Sequence, residues 1–376
     1  MRILVAPDKF KGSLIARDVA ESIAAGLREV LPDAAIEMVP MADGGEGTAS
    51  VIVEACGGEW LTCNAHDALG RAITARYVRL HERATAVMEM SEVAGMWRFA
   101  PSDRDPMCAH TFGVGGILLA ATARGATEVI VGLGGSATND GGFGLARALG
   151  FRFLNRECVE LTGPVSDLLD LEHISPPRDL VLPRVTAAAD VRNPLLGASG
   201  ATQIFGPQKG ATPDQIPILE KALAHLADVV ARDLGCDFRG ANGAGAAGGL
   251  GFGLLSFCGA ELRPGFEVVA DATGLESKMK AVDVVITGEG SLDRQTLEGK
   301  TPAGVARLAR RLGKRVFAIA GHASEDQEVR DLFEGVYQLV NSTTSTAQAM
   351  EQTANLLRER ARELARSLSQ RQSPVS

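Results

Sequence analysis

Four stretches of this chain set glycine beside carboxylates, amides, hydroxyls and lysines, closely enough to hold and work on a small polar ligand. The first is Asp8-Lys9-Phe10-Lys11-Gly12-Ser13, between an apolar run and a helical pattern. Backbone N–H groups and a helix dipole favour an anion at such a turn, and lysines suit phosphate or carboxylate. A solvated turn has the same composition. In the second, Asp43-Gly44-Gly45-Glu46-Gly47-Thr48, the glycines let the backbone approach a ligand, and Asp43 and Glu46 could hold Mg2+ or a sugar-like hydroxyl. A capped helix start accounts for those residues equally well. The third, 132–142, follows the apolar residues 129–131 and contains Gly134, Gly135, Ser136, Thr138, Asn139 and Asp140. That density of hydrogen-bonding groups exceeds the needs of a turn and points to a ligand loop. The fourth runs Gly288-Glu289-Gly290-Ser291-Leu292-Asp293-Arg294-Gln295 and on to Gly299-Lys300-Thr301. Asp190 ends the apolar run 185–189 and reads either as a general base at a strand end or as an Asx-turn residue before Asn193-Pro194. Lys209 lies further on, in 205–210.

Several other chemistries fail on spacing. Gly299-Lys300-Thr301 resembles the end of a P-loop, but Arg294 stands where that motif requires glycine. Gly132-x-Gly134-x-x-Ala137 and Gly243-x-Gly245-x-x-Gly248 fit dinucleotide patterns, which come cheaply in a chain with 43 glycines. Neither opens the first βαβ unit. No G-x-S-x-G elbow exists, which argues against a serine hydrolase. The six cysteines are scattered without C-x-x-C spacing, so reduced thiols in a cytoplasmic protein are expected. The six histidines are dispersed, and only His322, at a strand-like end, invites a functional reading.

These loops need elements to aim them, and both ends of the chain supply a β-α-β-α pattern. Residues 2–6 form an apolar run ending at Pro7, and Val19, Ile23, Leu27, Val30 and Leu31 recur at helical spacing. Residues 36–39 read as a second strand and 48–56 as a helix stopped by Gly57-Gly58. Near the other end, 282–287 reads as a strand followed by a polar loop to Lys300. Thr301 is an expected N-cap with Pro302 at the first helical position, leading into a helix over 303–312. A strand over 315–320, a helix over 325–333, a strand over 336–340 and a closing helix over 347–368 follow, with 369–376 expected to fray. Two strands plus three make a flavodoxin-like parallel sheet. The expected fold class is α/β with two domains: a discontinuous flavodoxin-like domain, 1–61 plus 281–376, and an inserted mixed α/β domain, 62–280. The active site is expected in the cleft between them. Residues 240–253 read as a tight loop entering a closely packed helix.

Composition bounds the partners. The 376 residues are 45% hydrophobic and 22% charged, an ordinary globular balance. Aromatics at 5% and a net charge of -8 without a basic stripe argue against nucleic acid and anionic membrane, though not against a small anion. No apolar run approaches the roughly 18 residues of a membrane span. The first residues enter a strand-like run with no leader-type segment, so a cytoplasmic enzyme is expected.

Read in order, eight runs resemble the bacterial glycerate kinase family, of the type with a flavodoxin-like domain. They are APDKFKGSL (6–14), ADGGEGT (42–48), HDALGR (66–71), GLGGSATNDGG (132–142), DVRNPLLG (190–197), FGPQKGAT (205–212), GAGAAGGLG (243–251) and TGEGSLDRQTLEGKTPAGVA (287–306). They span nearly the whole chain. Lys9 stands where many members carry serine, Ala68 where many carry proline, and Ser291 where arginine is more usual. The resemblance implies phosphorylation of D-glycerate by ATP with Mg2+. The commoner form yields 2-phosphoglycerate, the product favoured here, and some members are assigned the 3-isomer. Under this reading Asp190 accepts the hydroxyl proton, and Lys9, Lys11 or Lys209 binds the glycerate carboxylate or the moving phosphoryl group. Asp43, Glu46, Glu289 and Asp293 include the Mg2+ ligands, and the 132–142 loop with Lys300 contacts phosphates. Asp8, Ser13, Gly44, Gly45, Gly134, Gly135, Ser136, Asn139, Asn193 and Gln295 complete the substrate and phosphate contacts. Room is left for a homo-oligomer. The alternatives are a nicotinamide-dependent 2-hydroxy-acid dehydrogenase, which lacks an evident His–carboxylate pair, and a non-catalytic sensor, which would have shed the acidic loop residues.

Overall fold

A run of aliphatic residues opens the chain as β1 (Arg2–Val5), whose last three residues are buried. The helix Ala16–Val30 and β2 (Ala35–Met38) follow. The computed structural model describes residues 1–341 and 344–370. The chain divides into two units. One comprises Met1–Asp43, Ser50–Ala55 and the chain from Phe266 onward; the other comprises Gly44–Ala49 and Cys56–Gly265. Strand residues 58–61 therefore fall in the inserted unit and the helices over 266–280 in the discontinuous one, a shift from the sequence-based limits at 61/62 and 280/281.

The inserted unit contributes β3 (Gly58–His66), β4 (Ala72–Leu80), β5 (Thr85–Glu89), β6 (Glu128–Gly132), β7 (Arg152–Leu154), β8 (His173–Ser175), β9 (Arg184–Ala189) and β10 (Glu261–Pro264). Six of them form a mixed sheet in the order β10-β9-β6-β5-β4-β3, parallel through β5 and antiparallel beyond it. β7 and β8 pair separately. The largely buried runs of β6 and β9, apolar in sequence, mark strands covered on both faces. The glycine-rich run is a helix, Ala246–Cys258, entered through a left-handed turn at Ala247, Gly248 and Gly249. A Cβ at Gly248 would collide with the Thr138 carbonyl oxygen, so the loop after β6 can lie directly on this turn only because glycine is there.

The discontinuous unit resumes with β11 (Val284–Leu292), β12 (Arg315–Ala323) and β13 (Gly335–Gln338). Its sheet is wholly parallel in the order β13-β12-β11-β1-β2. That is the 2-1-3-4-5 flavodoxin-like order. The helices Ala16–Val30 and Thr353–Gln370 cover the sheet together; a Cβ on Gly26 would collide with the Arg358 carbonyl oxygen, so glycine sets how closely they approach.

Four local expectations change. The polar stretch 288–292 is strand, because β11 continues to Leu292 alongside β12, up to the pairs Ser291↔His322 and Leu292↔Ala323. Thr301 is the first helical residue, not the cap; Lys300 occupies the cap position and Pro302 is one residue deeper. The helix expected over 325–333 is only Gln327–Arg330. The closing helix is two, Thr346–Glu351 and Thr353–Gln370, divided at Gln352. The expected fraying of 369–376 falls mostly outside the described residues. Among those described, no helix is long and apolar enough to cross a membrane.

Candidate active site

In an open parallel sheet, ligands bind beyond the carboxyl ends of the strands where the order reverses. Here that point lies between β1 and β11. The strands hold register there: Ile3 faces Val284, the Ala6 and Asp8 N–H groups donate to Ile286 and Gly288 carbonyls, and Thr287 Oγ1 donates to the Ala6 carbonyl. A cavity of about 430 Å³ opens beyond it. Asp8, Lys9, Lys11 and Ser13 enter from the loop after β1, Asp43 from the chain after β2, Glu289 from β11 and Lys300 from the start of the next helix. Seven residues singled out by sequence thus share one wall system.

Burial sets the electrostatics. Asp8 is 5% exposed; its Oδ1 accepts from the Lys9 N–H at 2.6 Å and its Oδ2 from Thr301 Oγ1 at 2.7 Å. Desolvation, followed by the charge of Asp43, pushes its carboxyl up to about 7 despite those bonds. Glu289 is also raised to about 7, chiefly by burial; its bond from Thr296 Oγ1 at 2.8 Å and the charge of Lys300 oppose the shift. Asp293 caps the short 3-10 turn Arg294–Glu298: its Oδ1 accepts from the Gln295 N–H, and Thr296 Oγ1 accepts from the Asp293 N–H. Gln295 is exposed and lies outside the cavity lining. Ser13 Oγ is committed to the Met350 carbonyl and to Thr353 Oγ1, at 3.0 and 2.5 Å, and ties the first loop to the C-terminal helices.

The inserted unit holds the other candidates. Gly44, Gly45 and Glu46 lie against the loop after β6: a Cβ at Gly134 would collide with Gly45 Cα, and one at Gly135 would sit 2.5 Å from Glu46 Oε1. The helix start after Glu46 is capped from a distance, because Glu89 Oε1 accepts from the Gly47 and Ala49 N–H groups at 3.1 and 2.9 Å. Ser136 is 5% exposed and Asn139 fully buried, with Asn139 Nδ2 donating to Thr202 Oγ1 at 3.0 Å. Asp140 accepts from the Thr111 N–H, Thr111 Oγ1, Gly142 N–H and Gly144 N–H, and so organises the loop's exit. Lys209 is 2% exposed, and its Nζ donates to the Thr138 carbonyl at 2.7 Å. Burial brings its ammonium down to about 7. Asp190 is half-buried just past β9, and Asn193 Nδ2 closes a local turn on the Ser199 carbonyl at 2.7 Å.

Sequence reasoning passed over Thr296, Thr301 and Glu89, which orient the carboxylates and cap the helix. Thr301 carried a helix-start signal that disguised its bond to Asp8, and Glu89 gives no local signal, acting some forty positions from its partners. The metal reading can be tested on donor chemistry. Among the described residues no three His, Cys, Asp or Glu side chains close on a common point. Two or three hard carboxylates beside lysines still fit Mg2+, which takes one or two protein carboxylates and completes its shell with water and phosphate oxygens.

Comparison with known proteins gives the family. The family model described as the glycerate kinase family matches residues 3–369. A glycerate kinase of Halalkalibacterium halodurans is 41% identical over 372 residues, 96% of this chain and 97% of that one. A protein of Escherichia coli K12 named glycerate 2-kinase is 41% identical over 336 residues, 87% of this chain and 86% of that one. A crystal structure of a protein from Salmonella typhimurium LT2, provisionally called glycerate kinase 2, superposes with a TM-score of 0.87 at 38% identity and covers 99% of both chains. None of these matches supports the dehydrogenase alternative. With a matching model over nearly its whole length and close relatives covering most of it, the chain belongs to the glycerate kinase family.

Proposed function

We propose that this protein transfers the γ-phosphoryl group of ATP to the 2-hydroxyl of D-glycerate, releasing ADP and 2-phosphoglycerate. The observation that carries the reading is the β1/β11 switch-point cavity, where three lysines suited to phosphate meet half-buried carboxylates suited to a divalent cation. The 2-position is favoured by the name of the Escherichia coli relative.

Phosphoryl transfer needs alignment and charge neutralisation more than covalent help. The glycerate hydroxyl oxygen attacks the γ-phosphorus while the bond from that phosphorus to the β,γ-bridging oxygen breaks, and the oxygen leaves with ADP. The hydroxyl proton passes to the Asp190 carboxylate. Lys9, Lys11 and Lys300 offset the charge on the phosphate oxygens. Carboxylates drawn from Asp43, Glu289, Asp293 and Glu46 would hold Mg2+, which would further neutralise the phosphates. In the inserted unit the Gly134–Gly135 backbone offers N–H groups to phosphate, while Asn139, Asp140 and Lys209 hold that loop in shape from beneath. On this reading Lys209 supports the loop, where the sequence alone offered it a substrate- or phosphate-binding role. An ATP-dependent enzyme of this kind fits the cytoplasmic location expected from sequence.

The test is direct. The protein is incubated with Mg-ATP and D-glycerate, and the product is coupled to enolase without phosphoglycerate mutase. Signal without mutase identifies 2-phosphoglycerate, and signal only with mutase identifies the 3-isomer. No ADP release would sink the kinase reading.

A further inference from the structure

The switch-point cavity has two unlike halves. Strand order separates them. Asp8 follows β1, Asp43 follows β2 and Glu289 belongs to β11, whereas Leu339 and Val340 follow β13, with β12 in between. At the usual strand spacing of just under 5 Å, the strand ends of the two regions are roughly 10 Å apart across the sheet, and the loop after β1 reaches over to the β13 side, where Ser13 Oγ donates to the Met350 carbonyl. The β13 side is mainly apolar: Leu339, Val340, Ala349 and Met350 line it, with Thr346 and Thr353 as its polar members. Leu339 and Ala349 are buried, while Met350 is 49% exposed and Val340 half-buried, so the wall meets a ligand through these last two.

Glycerate has no use for such a wall. Each of its three carbons carries oxygen, and it is far smaller than a cavity of about 430 Å³. A nucleotide matches both halves, with a flat base for the apolar wall and phosphates for the lysines. On the kinase reading above, we infer that the β13 side of this cavity holds the nucleoside of ATP, with the triphosphate turned toward Lys9, Lys11 and Lys300. Ser291 and His322, cross-strand partners near the ends of β11 and β12, lie between the halves and offer polar groups where the ribose falls. The discontinuous unit is then the nucleotide-binding unit.

The test uses the full chain and a fluorescent ADP carrying an N-methylanthraniloyl group on its ribose, titrated without glycerate. Val340→Phe narrows the apolar half, and Met350→Ala, at a partly exposed site, opens it without burying new bulk. Val340→Phe should weaken binding of the probe and raise the KM for ATP by about tenfold or more, and Met350→Ala should do so by about threefold. The KM for glycerate should stay within about twofold in both. Thermal melts matching the parent confirm folding; if Val340→Phe fails to fold, Met350→Ala decides. A raised KM for glycerate with unchanged probe binding would give the cavity to the acid and overturn the inference. Unchanged values for both substrates would overturn it as well. Absence of any ADP release from the parent would instead sink the kinase reading on which the inference rests.

Discussion

Replacing Asp8 by asparagine should flatten the pH dependence of stability. In the folded chain its carboxyl is raised from 3.8 to about 7, chiefly by burial and then by Asp43. Between those values the folded state keeps a proton that the unfolded chain has lost. The resulting stability is present in full below about pH 4 and disappears as pH rises through about 7. A shift of roughly three units, at about 1.4 kcal/mol each, sets a ceiling of about 4 kcal/mol. Because the charge is shared with Asp43, about half of that is a working figure, or roughly 4–8 °C in Tm for a unit of this size. Asparagine keeps the shape. Its Oδ1 still accepts from the Lys9 N–H, and the Thr301 hydroxyl can turn to accept from Nδ2. Melting curves at pH 5, 6, 7 and 8, at fixed ionic strength with nucleotide and divalent cations removed, should show the variant gaining on the parent as pH rises. Glu289 shifts in the same direction, chiefly by burial, which both proteins share; only the smaller part due to the Asp8 charge differs between them. Parallel curves would refute the account of Asp8 as a buried carboxyl held neutral by its surroundings.

Asp190→Asn should lower kcat by about a hundredfold or more with an unchanged melting curve, and near-full turnover would remove Asp190 from the base role. Lys209→Met should alter the pH dependence in the opposite sense to Asp8. Burial brings the ammonium down to about 7, so the cost of its charge is greatest below that pH and fades as pH rises toward 10.5. The Tm of the parent relative to the variant should therefore climb between pH 7 and pH 9. Lys9 and Ser291, two of the three departures from residues more usual in the family, line the same cavity. Lys9→Ser alone should raise the KM for ATP by about tenfold, and adding Ser291→Arg should recover much of it; a double variant worse than the single would show that the cation is not interchangeable between the two positions.

The sheet was legible because its signal is coarse. Apolar runs such as 2–6 and 315–320 are long enough to mark buried parallel strands, and their grouping at the two ends implied one sheet. The strand from Gly288 to Leu292 was not legible. Glycine and glutamate are poor strand formers in isolation, and only the neighbouring β12 makes the extended conformation worthwhile. The site was readable as loops but not as roles. Lys209 shares a glycine-flanked setting with Lys9 and Lys11, yet it faces inward to the Thr138 carbonyl. Nothing within five residues of it distinguishes a lysine that supports a loop from one that meets a substrate. Ser13 likewise looked like a phosphate contact and is engaged by residues more than three hundred positions away.

The discontinuous sheet also governs how the protein is made. β1 pairs on one edge with the nearby β2, where Ile3 meets Ile36, but its other edge waits for β11, where Ile3 meets Val284. At about 5–20 residues per second on the ribosome, the roughly 240 residues separating β2 from β11 take about 12–50 s to emerge. Through that interval β1 and β2 are two apolar strands without their sheet, while the continuous run from Cys56 to Gly265 can complete its own core. Synthesis therefore favours the inserted unit folding first. The nascent amino terminus is then the stretch most exposed to aggregation and most in need of chaperone cover.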